Sequence, residues 1–188
     1  MPFVLVVVGT SLGGLSALRI MLQALPGGFP AAIAIVQHRD RSSGEALSRT
    51  LQQESRLPIL DVEDKELIRP GCVYLAPAAY HLLVEPGQFS LSVDPPVAFA
   101  KPSIDVLFES AAEVYQSSTI GVVLTGANRD GAEGLAKIKA RGGFTIVQDP
   151  RTAECASMPE AAISKSIVDR VLPIDQISPL LVTLCPPC

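Results

Sequence analysis

The sequence predicts an α/β fold: a doubly wound, mostly parallel sheet with helices on both faces and an added antiparallel β-hairpin. Three observations carry this. Apolar runs rich in Val and Ile recur along the chain, as expected of strands buried on both faces. Between them lie segments whose apolar residues fall at helical spacing, as crossover helices require. One segment breaks the pattern: "YHLLVEPGQFSLSV" (Tyr80 to Val93) alternates on either side of Pro86-Gly87, the signature of a hairpin.

The elements follow in order. Val4–Val8 is the first strand, and a helix near Gly13–Leu25 is terminated by "PGG" at Pro26 to Gly28. Ala32–Gln37 is the second strand and Ser43 to Ser55 the second helix, with a short strand at Val73 to Pro77 before the hairpin. Helical spacing resumes at Ile104–Tyr115, followed by a strand at Ile120 to Thr125, a helix near Ala132–Ala140 and a strand at Phe144 to Gln148. A short helix after Pro159, a strand at Asp169 to Ile174 and a final helix complete the chain. At 188 residues, with no internal repeat or long linker, the expectation is one domain over residues 1–188.

Composition excludes several classes. The chain is 48% hydrophobic and 18% charged, a balance opposite to that of disorder. Fifteen basic against 19 acidic residues leave a net charge of −4, which argues against a broad nucleic-acid surface. No apolar run approaches the roughly 18 residues that span a bilayer, and the N-terminal run lacks the basic flank of a signal peptide. No membrane insertion and a cytoplasmic location are expected. Cys72, Cys155, Cys185 and Cys188 form no secreted disulfide framework. The C-terminal "CPPC" has no following helix to lower a thiol pKa and no second close pair to complete a metal site, so it reads as an inert tail.

In open parallel sheets ligands bind beyond the carboxyl ends of the strands. Strand one ends at "GTSLGG", strand two at "QHRD" and the strand from Ile120 at "TGANRDGA", so Ser11, His38 and Asp130 each follow a strand on one sheet edge. Serine becomes a nucleophile when a base takes its proton, and the base needs an acid to fix its tautomer and stabilise the imidazolium. "GTSLG" also fits Gly-x-Ser-x-Gly, a strand-to-helix turn that exposes a hydroxyl beside backbone N–H groups. Its order of Ser, His, Asp differs from the Ser, Asp, His of α/β-hydrolases. Each residue has a structural reading as well: Ser11 and Asp130 are good N-caps, Asp130 with Glu133 resembles a capping box, and His38 can close a strand. His81, on the hairpin, reads as structural.

A Rossmann-like nucleotide site is the competing ligand reading. Gly9, Gly13 and Gly14 do not make Gly-x-Gly-x-x-Gly, and His38 and Arg39 occupy the place of the ribose-binding acid. Nor does the loop contain the Gly-Lys-Ser/Thr of a P-loop.

With these blocks in hand, the chain resembles the catalytic domain of CheB-type chemotaxis protein-glutamate methylesterases. The similarity runs through "VVGTSLGGLSAL" (Val7 to Leu18), "IVQH" (Ile35 to His38) and "GCVYLAPAAYHL" (Gly71 to Leu82). It continues in "KPSIDVLFESAA" (Lys101 to Ala112), "GVVLTGANRDGAEGL" (Gly121 to Leu135) and "TIVQDPRTAECASMPEAAI" (Thr145 to Ile163). The resemblance implies Ser11 as nucleophile, His38 as general base and Asp130 as its orienting acid. It implies backbone N–H groups of Leu12 and Ala127 as the oxyanion hole, with no metal and no organic cofactor. The implied substrates are glutamate γ-methyl esters on the cytoplasmic helices of methylated chemoreceptors, with deamidation of receptor glutamines in some relatives.

Regulated relatives carry a receiver domain. The expectation is a catalytic domain alone, with a receiver domain acting in trans or lying outside this chain. The chain departs from the family pattern at Leu12, Ala127 and Asn128, where relatives often have Thr, Met and Gly, and at Ala100, near which many carry a histidine. A receptor-binding adaptor with weak or no turnover is therefore the alternative to an esterase. Arg39, Arg41 and Arg129 flank the candidate base and acid, placed to steer an acidic substrate.

Overall fold

The computed structural model describes residues 4–39 and 46–187. The chain runs β1 (Leu5–Thr10), α1 (Gly14–Gln23), β2 (Ala32–Gln37), α2 (Ala46–Gln52), β3 (Ile59–Asp61), β4 (Val73–Leu75), β5 (His81–Glu85) and β6 (Gln88–Ser92). It continues with α3 (Ile104–Tyr115), β7 (Thr119–Val123), α4 (Ala132–Ala140), β8 (Phe144–Gln148), α5 (Ser157–Lys165), β9 (Arg170–Leu172) and α6 (Ile174–Leu184). Seven strands form one sheet in the order β3-β4-β2-β1-β7-β8-β9, all of them parallel.

Strand alternation decides which residues enter which core. In β1, Leu5 and Val7 pack on one face with Leu107, Phe108 and Ala111 of α3, Leu135 of α4 and Ala162 of α5. Val6 and Val8 face the other way, onto Leu18 and Met21 of α1 and Ile177 and Leu181 of α6. Every residue of β1 is buried, as a central strand covered on both faces must be. The hairpin β5–β6 stands apart from the sheet, turning at Pro86-Gly87 and driving Leu82, Val84 and Phe89 into the α3 side of the core.

The chain winds outward from β1 through β2, β4 and β3, then returns to β7 and continues through β8 and β9. The reversal falls between β1 and β7, so their loops leave toward opposite faces and open a crevice there. Register brings three strand ends level: Thr10 pairs with Gln37, and Gly9 with both Val36 and Val123. A Cβ on Gly9 would overlap Ile104, so glycine here lets the start of α3 approach the sheet edge.

Two elements differ from expectation, and a third is described only in part. β3 is an added edge strand whose three half-buried residues carry no clear apolar pattern. Helix α5 starts at Ser157, ahead of Pro159, because proline in a first turn removes an N–H that has no helical partner anyway. The second helix is seen from Ala46, its expected start at Ser43 lying outside the described residues. No described helix is long and apolar enough to cross a membrane.

Candidate active site

Ser11 lies in the turn between β1 and α1. Its N–H donates to the carbonyl of Thr125, just beyond β7, at 3.0 Å, and Thr10 Oγ1 donates to the same carbonyl at 2.9 Å. These bonds tie the nucleophile turn to the loop that carries the candidate acid. The N-cap of α1 is Gly13, in the left-handed conformation, so Ser11 is not a helix cap. Among the described residues its Oγ has no hydrogen-bond partner. Gly126 faces it closely: a Cβ there would overlap Met158 and come within 2.9 Å of Ser11 Cβ.

His38 follows β2, its N–H donating to the Thr10 carbonyl at 3.0 Å. The neighbouring Gln37 amide donates to the carbonyls of both Ser11 (2.9 Å) and His38 (2.8 Å), joining the two loops. Sequence reasoning missed this side chain, because a glutamine closing a strand carries no local signal of what it will bridge.

Asp130 meets His38 directly, with Oδ2 at 2.8 Å from Nε2. Its capping role is not the expected one. Gly131 is the N-cap of α4, and the Asp130 carboxylate instead caps α3, accepting from Ile104 N–H (2.6 Å), Asp105 N–H (3.0 Å) and Ser103 Oγ (2.8 Å). Asp105 returns the arrangement, accepting from Gly131 and Gly134 N–H at the start of α4. Two helices thus exchange caps, and the α3 N-terminus holds the candidate acid as an anion. His81 supports it from behind: its Nδ1 accepts from Ser103 N–H at 3.2 Å, and its Nε2 meets the Pro95 carbonyl at 3.0 Å.

The two carboxyls titrate in opposite directions. Burial pushes Asp130 upward, but the hydrogen bond from His38, the N–H groups of α3 and the His38 charge outweigh it and hold it below the usual range. Asp105 is pushed up to about 6, first by burial and then by the charges of Asp130 and Glu109, against the N–H groups of Gly134 and Gly131.

The tautomer of neutral His38 follows from its neighbours. Asn128 Oδ1 accepts from Asp130 N–H at 3.1 Å, which fixes the orientation of that amide. Its NH₂ group therefore faces His38 Nδ1, 3.1 Å away, and Nδ1 must be the acceptor. The proton of neutral His38 sits on Nε2, toward Asp130, and the basic lone pair sits on Nδ1. The usual triad relation has the acid on Nδ1; here the nitrogens are exchanged.

Ser11, His38 and Asn128 line one open cleft of about 1060 Å³, with Leu12 and Phe99 on its rim. Phe99 is fully exposed, and both it and Ala98 have positive φ, so the turn from Val97 to Ala100 thrusts an aromatic ring outward. Leu12 N–H has no partner among the described residues. Ala127 is exposed and lines an adjoining hollow that shares Asn128 and Ala98 with the cleft. Arg39 is drawn inward, donating to the Ala76 carbonyl at 3.1 Å and lying 3.6 Å from Asp61. Arg129 is exposed on the adjoining hollow, and Arg41 lies outside the described residues. Cys185 is buried against the α6 side of the core, where burial pushes its thiol up to about 11, and Cys188 lies outside the described residues.

Residues 6–181 match the sequence profile of CheB methylesterase. The chain belongs to the CheB methylesterase family. A Leptospira interrogans relative named putative protein-glutamate methylesterase/protein-glutamine glutaminase is 48% identical over 98% of this chain and 96% of its own length. The protein-glutamate methylesterase FrzG of Myxococcus xanthus is 41% identical over 96% of this chain, which spans 54% of that longer relative. The crystal structure of the Thermotoga maritima CheB methylesterase catalytic domain superposes with a TM-score of 0.94 at 36% identity, covering 98% of this chain and all of that one.

Proposed function

We propose that this protein is a serine esterase that hydrolyses glutamate γ-methyl esters on chemoreceptors, releasing methanol, and that it also deamidates receptor glutamines. The observation that carries the reading is the His38–Asp130 pair opening onto the cleft that Ser11 lines. Family membership and the printed names of the relatives supply the substrate class.

Ser11 Oγ attacks the ester carbonyl while His38 takes its proton at Nδ1, the nitrogen that faces away from Asp130. Asp130 stabilises the imidazolium across the 2.8 Å contact to Nε2. The negative charge gathering on the carbonyl oxygen needs backbone donors, and the N–H groups of Leu12 and Ala127 take that role. His38 then protonates the departing methoxide. Water, deprotonated by His38, cleaves the acyl-enzyme and returns Ser11. With a glutamine substrate the leaving group is ammonia, and the remaining steps are unchanged.

The substrate is the cytoplasmic helical region of a methylated chemoreceptor, which sets the protein in the cytoplasm. Arg129, exposed beside the site, contributes to attraction of that acidic helix, whereas the inward contacts of Arg39 support a scaffold role for it. A receiver domain, in trans or outside this chain, regulates access.

The test is methanol release from a methyl-esterified chemoreceptor fragment by the wild-type protein and by Ser11→Ala. Release by wild type alone is expected. Binding of the fragment without release by either protein means an adaptor, and Ser11→Ala retaining half the turnover overturns the serine assignment.

A further inference from the structure

We propose that Asn128 is a positioning residue that caps the basic nitrogen of His38 and must be displaced before Ser11 can deliver its proton. The proposal rests on the reading of Ser11 as nucleophile and goes beyond it by naming what restrains the base. Asn128 stands where the family often has glycine, which has no side chain to make this contact.

Asp130 N–H is a donor and cannot be anything else, so the Asn128 atom 3.1 Å from it is the carbonyl oxygen. The amide nitrogen then points at His38 Nδ1. Nε2 is committed to Asp130 through its proton. Both ring nitrogens are thus occupied, and Ser11 Oγ has no partner among the described residues. A neutral imidazole nitrogen offers one lone pair, and an amide N–H lying on it excludes a serine hydroxyl from the same place. The conflict grows as the reaction proceeds. When Nδ1 accepts the serine proton it becomes a donor, and two donors then face each other across the Asn128 contact. The amide has to withdraw for proton transfer to finish.

The cap has a second effect. By donating only to a deprotonated Nδ1, it keeps neutral His38 in the single tautomer that places its proton toward Asp130. Asn128 therefore prepares the base and delays its use. Its anchor is short: the same side chain is held to the chain two residues on, so it moves with the Asp130 loop rather than with the cleft.

The experiment uses phenylmethanesulfonyl fluoride as the probe, since it reports Ser11 reactivity without any receptor substrate. Its inactivation rate is compared in wild type, Asn128→Ser and Asn128→Asp, alongside nitrogen NMR of the His38 ring. Serine preserves an acceptor for Asp130 N–H but is too short to reach Nδ1, and inactivation is expected to accelerate roughly two- to tenfold, the strength of one neutral hydrogen bond. Aspartate has the shape of asparagine but no N–H group, so it draws a proton onto Nδ1, and inactivation is expected to slow below wild type. The wild-type spectrum is expected to show a bare Nδ1 and a protonated Nε2. Labelling of wild type at Ser11 with no acceleration in Asn128→Ser overturns the cap alone, as does a wild-type Nδ1 found protonated. Equal rates for wild type and Asn128→Asp also overturn it. No labelling of Ser11 in any of the three proteins, with the expected spectrum, overturns the serine assignment instead.

Discussion

The two sides of the candidate site are built in opposite ways. Asp130 is buried and its oxygens are filled by Ser103, Asp105, Ile104 and His38. Ser11 is held by its backbone alone, to Thr125 and through Gln37, and its hydroxyl hangs in an open cleft. The difference fits the roles proposed for the two groups. An orienting acid keeps one position throughout the cycle, so rigidity costs it nothing in turnover. A nucleophile must leave its base, carry an acyl group and return, and side-chain bonds would have to be broken at each stage.

Replacing Asp130 by Asn should strike both activity and stability. Turnover should fall about 10⁴-fold, the loss typical of a triad acid. Stability to urea should fall by about 2–4 kcal/mol as charge-assisted bonds at the start of α3 are lost. Ser11→Ala should abolish triad-dependent turnover yet shift stability by no more than about 0.5 kcal/mol. If both substitutions destabilise equally, the contrast between the two sides is broken.

Next in size is Ser103→Ala, which removes one bond to a buried carboxylate and should cost about 1.5–3 kcal/mol in the same denaturation experiment. The pH dependence sharpens the picture further. Asp130, depressed in the fold, contributes stability that is present above its unfolded value and lost as pH falls through its folded value. Asp105 has the opposite sign: raised to about 6, it contributes stability that is full below its unfolded pKa of about 3.9 and lost as pH rises through 6. Asp105→Asn keeps an acceptor for Gly131 and Gly134 N–H and should flatten the stability profile between about pH 4 and 6. An unchanged profile would remove Asp105 from that role. The smallest effect belongs to the arginines. Arg129→Gln should raise KM on receptor a few-fold and weaken its salt dependence, while Arg39→Gln should leave the salt dependence alone and reduce stability.

Residue types and strand ends made much of the site legible. A serine, a histidine and an aspartate after apolar strands were enough to gather three loops on one sheet edge, because parallel topology leaves few other arrangements. What stayed hidden depends on partners distant in the chain. Asp130 beside Glu133 looked like a cap for α4, but the carboxylate turned to α3, whose N-terminus no local pattern places next to it. Gln37 and Ser103 act through backbone carbonyls and a carboxylate supplied by other elements, and polar residues at element ends have too many uses for sequence to choose among them. Arg39 looked like a steering charge until Asp61, on the edge strand that sequence did not reveal, gave it an inward partner. The relation of the two His38 nitrogens was also beyond reach, since it depends on which atom of Asn128 meets Asp130 N–H.

The central place of β1 carries a consequence for how the molecule comes into being. The strands that precede Ser11 and His38 are among the first to be made, yet the acid arrives 92 residues after the histidine, and its seat requires α3 to have docked. Contacts of such separation form late, after loop closure has been overcome. A growing or half-folded chain therefore holds a serine and an imidazole with no acid to orient the ring. With the proposed triad, hydrolysis should begin only when both sides of the sheet have closed on β1, so appearance of activity during refolding should mark completion of the whole domain.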